Sequence, residues 1–142
     1  TSLMAYAGDI YLNTVFMCLI VAGGIGFPVW MDIVRVLRIK NKNLTLRQRV
    51  RHLSLHAKLA CFITGILISG GFFLFLFLEW NNPETLGSMS PLKKMTAALF
   101  QSVTLRTAGF FSINQGDLTY ASKFISVLMM FIGGSPAGTA GG

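Results

Sequence analysis

The sequence predicts an all-α membrane protein in which a short helix enters the bilayer, turns back and is followed by a further span. The chain of 142 residues is 53% apolar and 12% charged, with a mean hydropathy of +0.62, whereas soluble domains carry about 25% charged residues. Long runs without charge alternate with short polar connections. Between two such runs lies a segment too short to cross a bilayer that leads into a glycine-containing stretch. Lipid is therefore the expected solvent for most of the chain.

The first predicted span extends from Ile10 to Val34, after a mildly polar connection that we place on the outer side of the membrane. Asp32 is its only charged residue, and about 20 apolar residues suffice to cross about 30 Å of hydrocarbon. Pro28 has no N–H, so it is expected to free a carbonyl and kink the helix. The glycines at positions 23, 24 and 26 allow another helix to approach closely. A dinucleotide-binding loop would need a preceding strand, which the sequence does not predict.

A basic connection follows the first span. Eight of the twelve Lys and Arg residues lie between Arg35 and Lys58, and the positive-inside rule places residues 35–58 in the cytoplasm. Beside membrane spans, such a cluster suits lipid phosphates or an acidic protein better than nucleic acid. His52 and His56 share a helix face, but a third ligand and the glutamate of a zinc-protease motif are missing nearby. We therefore expect membrane lipids as partners, with no nucleic acid and no metal site here.

The second predicted span, Leu59 to Leu78, carries no charge and runs outward to Trp80, an aromatic residue that suits the interface. An outer loop with proline and glycine follows. Cys18 and Cys61 lie within the apolar runs, which favours buried thiols over a disulfide.

A short helix is predicted to begin at Ser90 and Pro91, since serine suits the N-cap and proline the first helical position. Extending to about Val103, it would be about 20 Å long and could only dip into the membrane. Lys93 and Lys94 would then extend back to the outer interface.

The stretch after this helix, residues 102–110, is the candidate site. Open backbone at membrane depth requires a covering of protein or a water-filled cavity, and exposed carbonyls can replace the hydration shell of a cation. Gly109 allows a turn that a side chain would hinder. We assign the ion path to the backbone of Thr107, Ala108, Gly109 and Phe110, with the Phe110 ring packing to hold the loop. Arg106 would repel a cation, so we expect it beside the loop, tying carbonyls or the helix end; a charge barrier is the alternative.

A third span begins at Phe124 and is interrupted after Ile132. The next ten residues contain five glycines and a proline, and unwound backbone at this depth must line water or be covered by protein. A phosphate-binding loop would need a lysine that is missing. The segment is predicted to obstruct the ion path when ordered and to clear it when displaced. Its residues are Gly133, Gly134, Ser135, Pro136, Ala137, Gly138, Thr139, Ala140, Gly141 and Gly142.

Three motifs, residues 106–110, 132–136 and 139–142, resemble the third pore repeat of the Trk/Ktr/HKT superfamily of potassium transporters, most closely its bacterial Ktr-type membrane subunit. The resemblance covers nearly the whole chain, and the order and spacing of the motifs make it specific. Two departures are Phe111, where that bacterial family often has asparagine, and Ala137-Gly138, where Gly-Ser is expected.

The resemblance implies a K⁺-channel-like arrangement of outer helix, pore loop and inner helix. Residues 1–34 would be the outer connection and the last transmembrane helix of the preceding repeat, residues 35–58 the basic cytoplasmic connection, and residues 59–142 the first helix, pore helix, filter and first half of the inner helix of the next repeat. K⁺ would bind at Thr107, Ala108 and Gly109.

The resemblance further implies K⁺ uptake across the plasma membrane, with Na⁺ coupling in some members, by homodimers gated by a cytosolic nucleotide-binding regulatory ring. No other cofactor is expected in this chain. The sequence shows no paired carboxylates and no Ser/His/Asp set, so an enzyme is not expected. A non-conducting scaffold or a subunit of another cation channel is the alternative. Because the chain stops inside a glycine-rich motif, we expect it to be part of a longer protein.

Overall fold

The computed structural model describes residues 9–38, 51–106, 108–110 and 112–135. These ranges are helical and contain no strand, which confirms the predicted all-α class. The helices are α1 Ile10–Ile25, α2 Phe27–Arg38, α3 Leu55–Glu79, α4 Pro91–Thr104 and α5 Tyr120–Ile132. A π-helical turn, Pro83–Gly87, precedes α4, and a 3-10 turn, Gln115–Asp117, precedes α5.

Helix α3 is long and apolar enough to cross a membrane. Its 25 residues extend over about 37 Å at about 1.5 Å per residue, and its start lies before the predicted Leu59. Ser54 caps it by accepting a hydrogen bond from the Ala57 N–H at 3.1 Å. Of the helices in the described ranges, α3 alone meets the length and hydropathy requirements of a span, and α1 with α2 meets them only if the bent pair is counted together.

The first predicted span is two helices rather than one. Helices α1 and α2 meet at 94°, with the break at Gly26, whose φ of 94° lies in the region that favours glycine. The kink was expected near Pro28, which instead occupies the first turn of α2, where a missing N–H is tolerated. A hydrogen bond of 3.1 Å from the Ser54 N–H to Asp32 Oδ2 joins α2 to the start of α3.

Two apolar clusters hold the helices together. One lies among α3, α4 and α5 and is built from Phe75, Leu86, Ala97, Ala98, Leu105, Ile113, Leu118 and Met129. The other joins α1 to α4 through Met17, Phe100 and Val103. Cys18 and Cys61 are free but exposed, so the expectation of buried thiols is wrong, because both side chains lie on helix faces that the described residues do not cover.

Candidate functional site

The C-terminal part of the short helix α4 is enclosed by protein, whereas its first turn is largely exposed. It starts at Pro91 and ends at Thr104 after 14 residues, about 21 Å, close to the predicted limits, although the Ser90 side chain makes no capping hydrogen bond. Residues 100–104 are buried without interruption. Five consecutive residues cover every face of a helix, so protein surrounds the end of α4 on all sides.

The two lysines at the start of α4 behave differently. Both were predicted to extend to the outer interface; Lys93 is exposed, and its place at an interface stays a prediction, whereas Lys94 is buried. Lys94 is 9% exposed; its Nζ donates to the Trp80 carbonyl at 2.9 Å and lies 4.7 Å from the centre of the Trp80 ring. The start of α4 is thereby fixed to the outer end of α3.

The chain turns back immediately after α4. The Ala108 N–H donates to the Thr104 carbonyl at 3.1 Å, and Thr104 Oγ1 donates to the Phe110 carbonyl. Gly109 has a φ of 73° and no atom within 4 Å of the place a Cβ would take. Glycine is therefore favoured here by backbone conformation, not by lack of space.

Three of the four predicted filter residues, Ala108, Gly109 and Phe110, lie in this turn. Ala108 and Phe110 are partly buried and Gly109 is exposed, while Thr107 and Phe111 lie outside the described residues. The binding of K⁺ to the carbonyls of Thr107, Ala108 and Gly109 stays a prediction.

Arg106 lies below the turn and is 5% exposed. Its Nε donates to the Gly133 carbonyl at 3.5 Å. Arg106 was expected to bind carbonyls or the end of the short helix. The carbonyl that it binds is that of Gly133, at the end of α5. Arg106 therefore links the returning loop to the beginning of the glycine-rich segment.

The glycine-rich segment begins where α5 ends. Gly133 has a φ of 66°, and the Ser135 N–H donates to the Gly24 carbonyl of α1 at 3.1 Å. The Ser135 side chain is 5% exposed, and its Oγ has no hydrogen-bond partner among the described residues. Residues 136–142 of the predicted gating loop lie outside the described ranges.

The sequence analysis assigned no role to Glu79, which follows the second predicted span. The carboxylate is 1% exposed and accepts four hydrogen bonds, from Asn82 Nδ2 at 2.7 Å, Thr85 Oγ1 at 2.7 Å, and the N–H and Oγ1 of Thr119 at 2.9 and 2.8 Å. Its position after 20 uncharged residues was the available signal, since a carboxylate there needs partners.

A second contact that the sequence did not indicate joins α1 to the returning loop. The ring centroids of Phe16 and Phe110 are 5.4 Å apart, with an interplanar angle of 58°. Both rings pack against the cluster of Met17, Phe100 and Val103 between α1 and α4.

A cavity of about 360 Å³ lies between the N-terminal half of α3, Arg106 and the segment 133–135. Its lining is mostly aliphatic, with Thr64 and His56 as further polar residues. In the described part of the chain, no group of three or more His, Cys, Asp or Glu residues could hold a metal ion.

Comparison with known proteins identifies the family. The chain matches the TrkH family, described as cation transport protein, over residues 1–142. It is 38% identical over 141 residues to the potassium/sodium uptake protein NtpJ of Enterococcus hirae. It is 38% identical to the Ktr system potassium uptake protein B of Bacillus subtilis and 33% identical to the protein of that name from Vibrio alginolyticus.

Each of these alignments covers 99% of the chain and 29% of the relative. The chain thus spans less than a third of the length of the curated relatives it matches. The match over all 142 residues agrees with the resemblance carried by the three motifs, and the chain belongs to the TrkH family of cation transport proteins.

Proposed function

We propose that the chain forms part of a potassium uptake pathway across the plasma membrane, with the backbone of residues 107–110 as a channel-like selectivity filter. The observation that carries the proposal is the short helix α4 with its enclosed C-terminal part, which ends in a turn with Gly109 at positive φ. The C-terminal end of a helix carries a partial negative charge. In this arrangement that charge is directed at the loop, where it favours a cation.

The names of the relatives support potassium as the transported ion. Two of them are named as potassium uptake proteins, and NtpJ is named for both potassium and sodium. Sodium as a coupling ion is therefore part of the proposal. Since the family consists of cation transport proteins, the expectation that the chain is not an enzyme agrees with its membership.

The rival functions are a non-conducting membrane scaffold and a subunit of another cation channel. Flux of ⁸⁶Rb⁺ and ²²Na⁺ into proteoliposomes containing the full-length protein separates the three. We expect saturable Rb⁺ uptake that K⁺ inhibits more strongly than Na⁺ does. No flux would favour the scaffold, and equal inhibition by both ions would favour a less selective channel.

The filter assignment predicts the effect of Gly109→Ser. A serine at φ 73° strains the backbone by about 1–2 kcal/mol and should shift the carbonyls that would hold the ion. We expect lower discrimination between K⁺ and Na⁺ at near-normal abundance. Gly65→Ser is the matched control, because Gly65 also has free space around its Cβ position but lies within α3. Unchanged selectivity in Gly109→Ser would remove this residue from the filter.

We also assign a gating function to the segment from Gly133 to Gly142. Gly133 is bonded to Arg106 and Ser135 to α1, which supports a start of the segment next to the returning loop. Deleting residues 134–141 should raise K⁺ flux and weaken control by the cytosolic regulator while selectivity persists. Equal basal flux and intact regulation in a folded deletion variant would contradict the assignment.

The proposed partners are a second copy of the full-length subunit and a cytosolic nucleotide-binding regulatory ring. The basic residues 35–58 are proposed to face the cytoplasm, where they can contact lipid phosphates and this ring. Copurification of full-length subunits as dimers, and their binding to the ring in pull-down experiments, would test these contacts.

A further inference from the structure

Helix α1 contacts the proposed ion path at two levels. At the outer level, the Phe16 ring packs against the Phe110 ring of the returning loop, with centroids 5.4 Å apart. At the inner level, the Gly24 carbonyl accepts the Ser135 N–H at 3.1 Å. The two α1 residues are eight positions apart, so the two levels are about 12 Å apart along the helix.

The outer contact acts on the returning loop at Phe110. The Phe110 carbonyl is held by Thr104 Oγ1, and the adjoining Gly109 has open space around it. Phe16 is partly buried and packs with the α1–α4 cluster, which restricts its ring. Aromatic pairs at this separation are attractive beyond their buried area, so the Phe16 ring limits the positions that Phe110 and its carbonyl can adopt.

The inner contact depends on the bend between α1 and α2. The last carbonyls of a helix have no intrahelical donors, and within a continuous helix the partner of the Gly24 carbonyl would be residue 28, a proline without an N–H. The neighbouring Ala22 carbonyl is satisfied by Trp30 Nε1 at 2.8 Å. The Gly24 carbonyl is therefore available to accept the hydrogen bond from the Ser135 N–H.

We propose that α1 positions the two parts of the ion path separately, with Phe16 as a positioning residue for selectivity and the Gly24 carbonyl as the holder of the glycine-rich segment. The proposal rests on the proposed function, in which the filter and the gate are two different segments of the chain. Its distinctive consequence is that the two contacts can be disrupted independently, with different functional results.

The outer contact is tested with Phe16→Ala and the milder Phe16→Leu in the full-length protein. We expect the K⁺ over Na⁺ permeability ratio to fall about two- to tenfold in Phe16→Ala, as expected for losing an aromatic pair, and less in Phe16→Leu. Dependence on the regulator should persist. Tyr11→Ala is the control, because Tyr11 is an aromatic residue of the same helix that is 81% exposed.

The inner contact is tested with Ser135→Pro, which removes the N–H, and Ser135→Ala, which keeps it and removes only the unpartnered Oγ. Basal K⁺ flux without the regulator should rise about two- to tenfold in Ser135→Pro, the range expected for one lost hydrogen bond. The permeability ratio should not change. Ser135→Ala should behave as wild type in both measurements.

Several results would overturn the proposal. One is an unchanged permeability ratio in both folded Phe16 variants, and another is an unchanged basal flux in Ser135→Pro. Equal changes of both properties in both sets of variants would also overturn it, because they would indicate a general structural effect. The proposed function fails differently, by the absence of selective K⁺ flux in the wild-type protein.

Discussion

Gly71 lies on the face of α3 where α4 and α5 meet. A Cβ at this position would overlap Ser102 Oγ and would lie 2.7 Å from Met129 Cε. Methionine can move, but Ser102 Oγ is held by a hydrogen bond of 2.8 Å to the Ile68 carbonyl. The missing side chain therefore lets α4 approach α3 at the level of the last turn before the returning loop.

This close approach predicts opposite effects for two adjacent substitutions. Gly71→Ala should lower the free energy of unfolding by about 1–3 kcal/mol, because it overpacks the contact. Gly70→Ala, where no atom lies within 4 Å of the new Cβ, should raise it by about 0.5–1 kcal/mol through helix propensity. Thermal or denaturant unfolding in detergent measures both. Equal effects of the two changes would contradict the packing argument.

Glu79, the last residue of α3, connects that helix to two neighbouring elements. Its carboxylate joins α3 to the turn before α4 through Thr85 and to the start of α5 through Thr119. The segment that contains α4 and the returning loop is therefore held at both of its ends by one side chain. Four donors around a buried carboxylate compensate for the loss of its hydration.

Glu79→Gln is expected to lower the free energy of unfolding by about 1–3 kcal/mol, since an amide cannot accept all the hydrogen bonds and leaves buried donors unsatisfied. Glu84→Gln, in the π-helical turn that follows α3 and exposed, is the matched control and should be close to neutral. The measurement is denaturant unfolding in detergent. A Glu79→Gln protein as stable as Glu84→Gln would show that the carboxylate does not hold these elements.

The elements themselves were largely predictable from the sequence, and their contacts were not. The limits of α3 and α4 follow from an apolar run and from a proline start, which are local signals. The right-angle bend at Gly26, the burial of Glu79 and the pairing of Ser135 with Gly24 depend on which donors and acceptors meet in the folded chain. Arg106 is an example: the sequence predicted that it would bind a carbonyl, but not that the carbonyl would be that of Gly133.

At the scale of the whole molecule, orientation in the membrane rests on the distribution of charge. The basic residues gather on one side of α3, in the connection from Arg35 to Lys58, while the turn after Trp80 lacks them until Lys93. From the positive-inside rule we propose that α3 runs from inside to outside and that α4 enters from the outer side.

This orientation predicts that single cysteines at Arg38 and Asn81, both exposed, label from opposite sides of the membrane. The background must carry Cys18→Ala and Cys61→Ala, because both native thiols are exposed. A membrane-impermeant maleimide applied to intact cells should react with Asn81→Cys and reach Arg38→Cys only after permeabilisation. Reaction of both in intact cells would overturn the orientation.

The bond from Lys94 to Trp80 has a consequence for how the protein fits bilayers of different thickness. The uncharged residues 59–78 of α3 extend over about 30 Å, the hydrocarbon thickness of an average membrane, so a thinner or thicker bilayer creates a hydrophobic mismatch that must be relieved by tilt or by movement of one end. Its outer end is pinned to α4 and, through Glu79, to α5. We therefore expect a change of lipid chain length to displace the inner end of α3, where Ser54 bonds to Asp32, and to pass that displacement to α2.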